Sequence, residues 1–277
     1  MHNVTAGDAA IPALGFGTWQ LEPADAEAMV AHAIEVGYRH IDTAQMYKNE
    51  QAVGRGIKKT GLAREDIFLT TKVWTDYFKM GDLQSSVADS LERLDTDYVD
   101  LILLHWPNPA VPLKETLDAL NDVRARGLAR HIGISNFPSA LVREAVEFSA
   151  GPLAVNQVEY HPYLSQKPVL DTLAAENMAL TAYCPLAQGQ VFADDTLIHI
   201  GERHGKNAGQ VALRWLVQQD GVIAIPRSSN PDHVAANFEI FDFELSAEEM
   251  GTINQLQRED RRVVNPSFAP QWDHATQ

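Results

Sequence analysis

Four side chains in the first half of the chain, Asp42, Tyr47, Lys72 and His105, are of types that together can move a proton onto a carbonyl oxygen. A tyrosine hydroxyl ionises near pH ~10 and is a poor donor at neutrality, but a neighbouring lysine ammonium stabilises the phenolate and lowers that value. Asp42 would hold Lys72 charged and oriented. His105 would hydrogen-bond a substrate carbonyl oxygen and steer it toward Tyr47. The set supplies the proton half of a carbonyl reduction, and the hydride half needs a cofactor, because no side chain donates hydride.

Further along lie residues suited to such a cofactor. Asn136 and Gln157 carry amides that match a nicotinamide carboxamide, Tyr183 offers a ring to stack on, and Arg227 with Ser228 and Ser229 suits a phosphate. No G-x-G-x-x-G follows the first strand, and Gly15-Phe16-Gly17 precedes it, so a nicotinamide would be held without the usual dinucleotide-binding turn. The same polar set allows a second chemistry, in which Lys72 is a Schiff-base nucleophile of a barrel aldolase or isomerase with Asp42 as its partner.

These residues need a scaffold that converges them. Short apolar runs alternate with amphipathic stretches, the pattern of βα units and a parallel sheet. Strands are predicted at Tyr38 to Asp42, Ile67 to Lys72, Val99 to His105, His131 to Ser135, Ala154 to Glu159, Ala179 to Tyr183, Val222 to Pro226 and Glu239 to Phe243. Helices are predicted from Pro23 to Val36 stopped by Gly37, from an Asp82 cap to Leu94, and from Leu113 to Arg126 stopped by Gly127. Two more, Thr196 to His204 and Ala208 to Gln219, follow the long Pro185–Gln190 loop. A last one, opened by a Ser246–Glu249 capping box, runs to about Arg258.

Eight strands predict a (β/α)8 barrel, whose active site forms at the C-terminal strand ends. Asp42, Lys72, His105, Ser135-Asn136, Gln157, Glu159, Tyr183 and Arg227 fall at those ends. A single polar strand end usually just meets water, but opposite charges and an imidazole on neighbouring strands are poorly explained by solvation.

No linker or low-complexity run divides the 277 residues, so one domain over 1–277 is expected. Residues 261–277 form an aperiodic tail, either packed on the body or disordered. The excess of 37 Asp+Glu over 22 Lys+Arg, −15 in all, opposes binding to nucleic acid or anionic membranes. Cys184 is the only cysteine, which excludes an internal disulfide, and without H-x-x-x-H or paired-carboxylate motifs no metal is expected. The N-terminus has neither the basic nor the apolar region of a signal peptide, and no apolar run is long enough to span a membrane, so a cytoplasmic location is expected. A monomer acting on a small-molecule carbonyl substrate is the separate expectation for its partners.

Taken in order, Gly37-Tyr38-Arg39-His40-Ile41-Asp42-Thr43-Ala44 with Tyr47, Thr71-Lys72-Val73-Trp74, Leu104-His105-Trp106-Pro107, Gly133-Ile134-Ser135-Asn136-Phe137, Asn156-Gln157-Val158-Glu159 and Ile225-Pro226-Arg227-Ser228 closely resemble the aldo-keto reductase family. The resemblance runs from about Ile11 to Trp272 and implies a barrel that binds extended NADP(H). It implies Tyr47 as general acid, Lys72 and Asp42 as the pair tuning it, and His105 as the residue orienting substrate. It places the cofactor on Gly17, Thr18, Asp42, Ser135, Asn136, Gln157 and Tyr183. The loop of Pro185, Leu186, Gln188 and Gly189 would close over the pyrophosphate. Arg227, Ser228, Ser229, His233 and Asn237 would hold the adenosine end.

Trp19, Tyr47, Trp74, His105 and Trp106 are implied to line the substrate mouth, with Trp272 as a lid. Trp215, at helical spacing, is expected in the core, and Cys184 is expected as a buried thiol. Arg227 replaces the family's common lysine, His233 an arginine and Ala236 an acidic residue. NADP(H) stays favoured and NAD(H) stays open. The short length and the tail from Arg262 to Asp273 resemble the bacterial 2,5-diketo-D-gluconate reductase branch, also associated with methylglyoxal. Some relatives are non-catalytic NADP(H)-binding regulators, a role that the intact Asp42, Tyr47, Lys72 and His105 oppose.

Overall fold

The computed structural model describes residues 1–273; His274 to Gln277, the end of the expected tail, lie outside the described residues. The chain opens with a hairpin that the sequence analysis does not anticipate, β1 (Asn3–Ala6) and β2 (Ala9–Pro12), turned by Gly7-Asp8 with Gly7 at φ +57°. Val4, Ala6, Ala9 and Ile11 are buried, and the Gly7 N–H donates to the Asn177 carbonyl just before a barrel strand. The hairpin therefore closes the end of the barrel opposite the site.

Eight parallel strands follow in consecutive order: β3 (Phe16–Gly17), β4 (His40–Asp42), β5 (Phe68–Val73), β6 (Val99–Leu104), β7 (Ala129–Ser135), β8 (Leu153–Glu159), β9 (Ala179–Tyr183) and β10 (Val222–Ala224). The ring shuts where Leu14 bridges Ala224 in parallel and the Gly17 N–H donates to the Pro226 carbonyl at 3.0 Å. A Cβ on Gly17 would sit 2.9 Å from the Ile225 carbonyl oxygen, so this seam requires glycine. The Gly15-Phe16-Gly17 pattern thus permits close strand approach.

The expected (β/α)8 barrel is present, with one correction to its strands. Phe16–Gly17 supplies the eighth strand, and Glu239 to Phe243 is irregular. Two of its carbonyls are satisfied by side chains: the Glu239 carbonyl accepts from Lys206 Nζ at 3.0 Å and Gln210 Nε2 at 3.3 Å, and the Ile240 carbonyl from Arg214 at 3.5 Å.

Helices α1 (Pro23–Val36), α2 (Glu50–Lys59), α3 (Asp82–Leu94), α4 (Leu113–Ala125), α5 (Ser139–Phe148), α6 (Lys167–Ala175), α7 (Asp195–His204), α8 (Ala208–Val217), α9 (Pro231–Phe238) and α10 (Ala247–Asn254) lie around the sheet. Helix α1 has the predicted bounds, with proline in its first turn and Gly37 at φ +131° ending it. Asp82 is the first residue of α3 and Gly81 its cap, a correction of one position. The Ser246–Glu249 capping box is present, but α10 ends at Asn254, short of the expected Arg258. Every residue of β6 and β8 is buried, because the barrel interior covers one face and helices the other. Trp215 is fully buried on α8, as expected of a core residue, and its Nε1 donates to Asn254 at 2.9 Å.

Candidate active site

Strand ends bring the sequence-predicted proton-transfer residues together at the barrel mouth. Asp42 ends β4, and Lys72 lies on the adjacent β5 with its side chain fully buried. Lys72 Nζ donates to Asp42 Oδ1 at 2.5 Å, to the Thr43 carbonyl at 2.8 Å and to the Tyr47 hydroxyl at 3.2 Å. All three ammonium protons are committed. A Schiff-base nucleophile would have to shed a proton and break this set, so the geometry disfavours the lyase chemistry.

Tyr47 sits on a 3₁₀ turn, Gln45–Tyr47, followed by Lys48 in the left-handed region at φ +56°. Three residues outside the sequence prediction fix this turn. Gln45 donates to Ser90 Oγ and the Ser86 carbonyl on α3 and accepts from the Trp74 N–H, which ties Tyr47 to the wall of the mouth. Asn49 accepts from Thr43 and donates to the carbonyls of Thr18 and Leu21. Glu50, buried at the start of α2, accepts from Thr71 at 2.6 Å and pairs with Arg93. Each is an ordinary polar residue near a strand or helix end, and no spacing in the sequence marks it as support for Tyr47.

Burial, then the Asp42 charge, pushes the Tyr47 hydroxyl well above its ordinary value. The expected lowering by Lys72 is therefore not the state of the free protein. Tyr47 is held protonated, as a donor must be before reaction. Burial also pulls the Lys72 ammonium down, against the opposing pull of Asp42.

His105 follows β6, with its ring edge-on to Tyr47 at 5.7 Å and to Trp74 at 5.3 Å between centroids. Burial and the Lys72 charge drive it well below 6.5, so it is neutral at pH 7, and its buried Nδ1 has no partner within the protein. Burial likewise lowers His40. Both take up a proton less readily when folded than when unfolded, where they titrate near pH 6.5, so stability is full above that pH and is lost as pH falls below it. Thermal unfolding at pH 7.5, 6.5 and 5.5 should show a falling midpoint over the lower step and a shallower fall in His40→Gln. Equal slopes would mean that burial does not suppress His40 protonation.

A second hydrogen-bonded set continues from the first. Gln157 Nε2 donates to Asp42 Oδ2 at 2.7 Å. The Ser135 hydroxyl and the Asn136 N–H both donate to the Gln157 carbonyl, with Asn136 at φ +64°. Asn136 Nδ2 donates to the His105 carbonyl at 3.0 Å, and its Oδ1 accepts from the Tyr183 hydroxyl at 2.8 Å. These two amides are of the type a carboxamide would pair with, but both are buried, with Asn136 Nδ2 and Oδ1 and Gln157 Nε2 already bonded within the protein. The Asn136 side chain would exchange its present partners for a ligand, a step that would free the Tyr183 ring.

The residues implied for the adenosine end form a separate cluster. Arg227 and Ser229 are exposed after β10, Ser228 and Asn237 are buried, and His233 is exposed on α9. Arg227 clasps the loop after β3, donating to the Trp19 carbonyl at 3.0 Å and the Gln20 carbonyl at 2.9 Å. Thr18, on the same loop, bonds the Asp42 carbonyl through both its N–H and its hydroxyl, so this loop joins the two clusters. Pro185, Leu186, Gln188 and Gly189 lie in a loop that carries positive φ at Cys184, Ala187, Gln188 and Gly189, a conformation costly for the three non-glycine residues. Cys184 is half-buried, and burial pushes its thiol up to about 12.

At the mouth Trp74 and Trp106 meet the tail. Phe268, which the sequence analysis does not single out, lies edge-on to Trp74 at 6.0 Å and to Trp106 at 5.4 Å, and Trp272 lies 6.1 Å from Trp106. Trp19 is 37% exposed, on the loop held by Arg227. Among the described residues no cluster of side chains could hold a metal ion, and no helix is long and apolar enough to cross a membrane.

The sequence model of the aldo/keto reductase family matches residues 13–258. Methylglyoxal reductase DkgB of Salmonella typhi is 40% identical over 266 residues, 95% of this chain and 99% of that one. A crystal structure assigned provisionally as a 2,5-diketo-D-gluconic acid reductase B superposes with a TM-score of 0.98 at 50% identity, covering 99% of this chain and 98% of that one. An aldo-keto reductase of Bombyx mori, solved in complex with NADP, superposes at 0.88 with 34% identity, covering 95% and 94%. The chain belongs to the aldo-keto reductase family, an oxidoreductase family that uses NADP(H).

Proposed function

We propose that the protein reduces small aldehydes, ketones and α-dicarbonyls of the methylglyoxal or 2,5-diketo-D-gluconate type to alcohols, with Tyr47 as proton donor. The observation that carries this is the Tyr47 hydroxyl 3.2 Å from the buried Lys72 ammonium, itself paired to Asp42 at 2.5 Å. When bound, NADPH supplies the hydride. Tyr47 gives its proton to the carbonyl oxygen as charge develops there, and the Lys72 cation stabilises the phenolate that remains. The neutral His105 donates its one N–H to the same oxygen and sets its distance from Tyr47.

Ser135, Asn136 and Gln157 orient the carboxamide, and the aromatic mouth sheds water from the reacting carbon. Arg227, Ser228, Ser229, His233 and Asn237 receive the adenosine end, with Arg227 exchanging the Trp19 and Gln20 carbonyls for the 2′-phosphate. The names of the methylglyoxal and diketogluconate reductase relatives support this substrate class.

The test is loss of reduced-nicotinamide absorbance with NADPH or NADH across methylglyoxal, a diketogluconate, an aryl aldehyde and a steroid ketone. Turnover of the small dicarbonyls, faster with NADPH, is expected. Arg227→Ala should weaken NADPH about tenfold or more and NADH about twofold, because only the former has a phosphate to lose. Equal losses would remove Arg227 from the 2′-phosphate. Binding of NADPH without turnover of any carbonyl would favour a regulatory role instead.

A further inference from the structure

The proton-transfer group leaves one buried carboxylate at the mouth unused. Glu159 is the last residue of β8, and its side chain is fully buried. Its Oε1 accepts from the Val263 N–H at 2.6 Å and is 3.0 Å from His161 Nε2, and its Oε2 accepts from the Val264 N–H at 2.8 Å. Two consecutive backbone amides of the tail, over a hundred residues further along the chain, thus end on one carboxylate. Hydrogen bonds to an ionised acceptor are the strong ones, and this site gives each carboxylate oxygen an amide of its own.

Residues on both sides of that grip make further contacts at the mouth. The Arg262 guanidinium lies 3.7 Å over the Trp272 ring, Trp272 Nε1 donates to Asn265 at 2.9 Å, and Asp273 accepts from both the N–H and the hydroxyl of Ser139 at 2.8 and 2.9 Å. The described part of the tail is held at Val263–Val264 and at Asp273. Between them Phe268, 53% exposed, stands on Trp74 and Trp106, and Trp74 in turn stands on His105.

We propose that Glu159 is a positioning residue for substrate choice. By fixing Val263 and Val264 it sets Phe268 and Trp272 as one wall of the mouth, and that wall selects carbonyl compounds carrying a flat apolar extension. The proposal rests on the carbonyl-reductase reading of the site. A three-carbon dicarbonyl reacts below the wall and does not feel it, whereas an aryl aldehyde lies against Phe268.

Glu159→Gln tests this, since the amide keeps one acceptor and turns a donor toward a backbone N–H. Val264→Pro removes one tail donor without touching the buried carboxylate, and it carries the test if the first variant does not fold. Two readouts are needed. In the cofactor-free protein, amide exchange at Val263 should quicken about a hundredfold in Glu159→Gln. In steady state, KM for benzaldehyde should rise about tenfold with kcat and the NADPH Kd within about twofold, and KM for methylglyoxal should hold.

Unchanged exchange would overturn the clamp. Faster exchange with an unchanged ratio of the two KM values would overturn its role in substrate choice. If the parent protein turned over no carbonyl, the reductase reading would fall and the substrate role with it, while the exchange measurement would still report on the grip itself.

Discussion

Tyr47→Phe should cut carbonyl turnover by about 10²–10⁴-fold, the range a positioned general acid contributes, while NADPH affinity stays within about twofold. The expectation follows from what the substitution removes. Tyr47 is half-buried and held protonated, and its hydroxyl is 3.2 Å from Lys72 Nζ, so the change deletes one proton donor and one contact in an otherwise intact mouth. Lys72 keeps Asp42 and the Thr43 carbonyl, and the cost in stability should stay near about 1 kcal/mol. The neighbouring His105 does not substitute as the acid. His105 is driven well below 6.5 by burial and by Lys72, so it is neutral and a poor proton source at pH 7. Single-turnover rates with NADPH and methylglyoxal, beside cofactor titration, measure both quantities. Retention of more than about a tenth of the rate would place the acid elsewhere.

The catalytic cluster was legible because its physics is local to strand ends. In His40-Ile41-Asp42, Thr71-Lys72 and Leu104-His105, a β run stops on a residue too polar to bury without a partner, and the parallel register then makes those ends neighbours. The first barrel strand was not legible, because Phe16–Gly17 is too short for any period and its glycine serves close approach. Glu239 to Phe243 misled for the opposite reason. It is rich in strand-forming residue types, but Lys206, Gln210 and Arg214 supply partners for two of its carbonyls in place of a neighbouring strand.

Contacts between distant parts of the chain were beyond the sequence. Glu159 looked like one more polar strand end, and the residues it grips lie in a tail without periodicity. Arg227 is the same kind of case from the other side. Its charge suggested a phosphate, and the structure shows what it holds meanwhile, the carbonyls of Trp19 and Gln20.

Lys72→Met should be the most destabilising single change at the site and should also stop turnover, and a second substitution separates the two effects. Lys72 and Asp42 have side chains 0% and 2% exposed, so methionine leaves Asp42 as a buried charge with Gln157 as its remaining side-chain donor. Removing one partner of a buried pair costs about 3–5 kcal/mol, which in a protein of this size lowers the melting midpoint by about 10 °C. Adding Asp42→Asn neutralises the stranded charge, so Asp42→Asn/Lys72→Met should recover most of that midpoint, because a buried pair replaced as a unit costs little. Activity should not return with it. Tyr47 would still lack the cation that stabilises its phenolate, and the rate should stay about 10²-fold or more below the parent, the scale of losing one preorganised charge. Melting curves and turnover of the two variants measure this directly. A double variant that regained both stability and rate would reduce the Asp42–Lys72 pair to a structural brace and remove it from the chemistry of Tyr47.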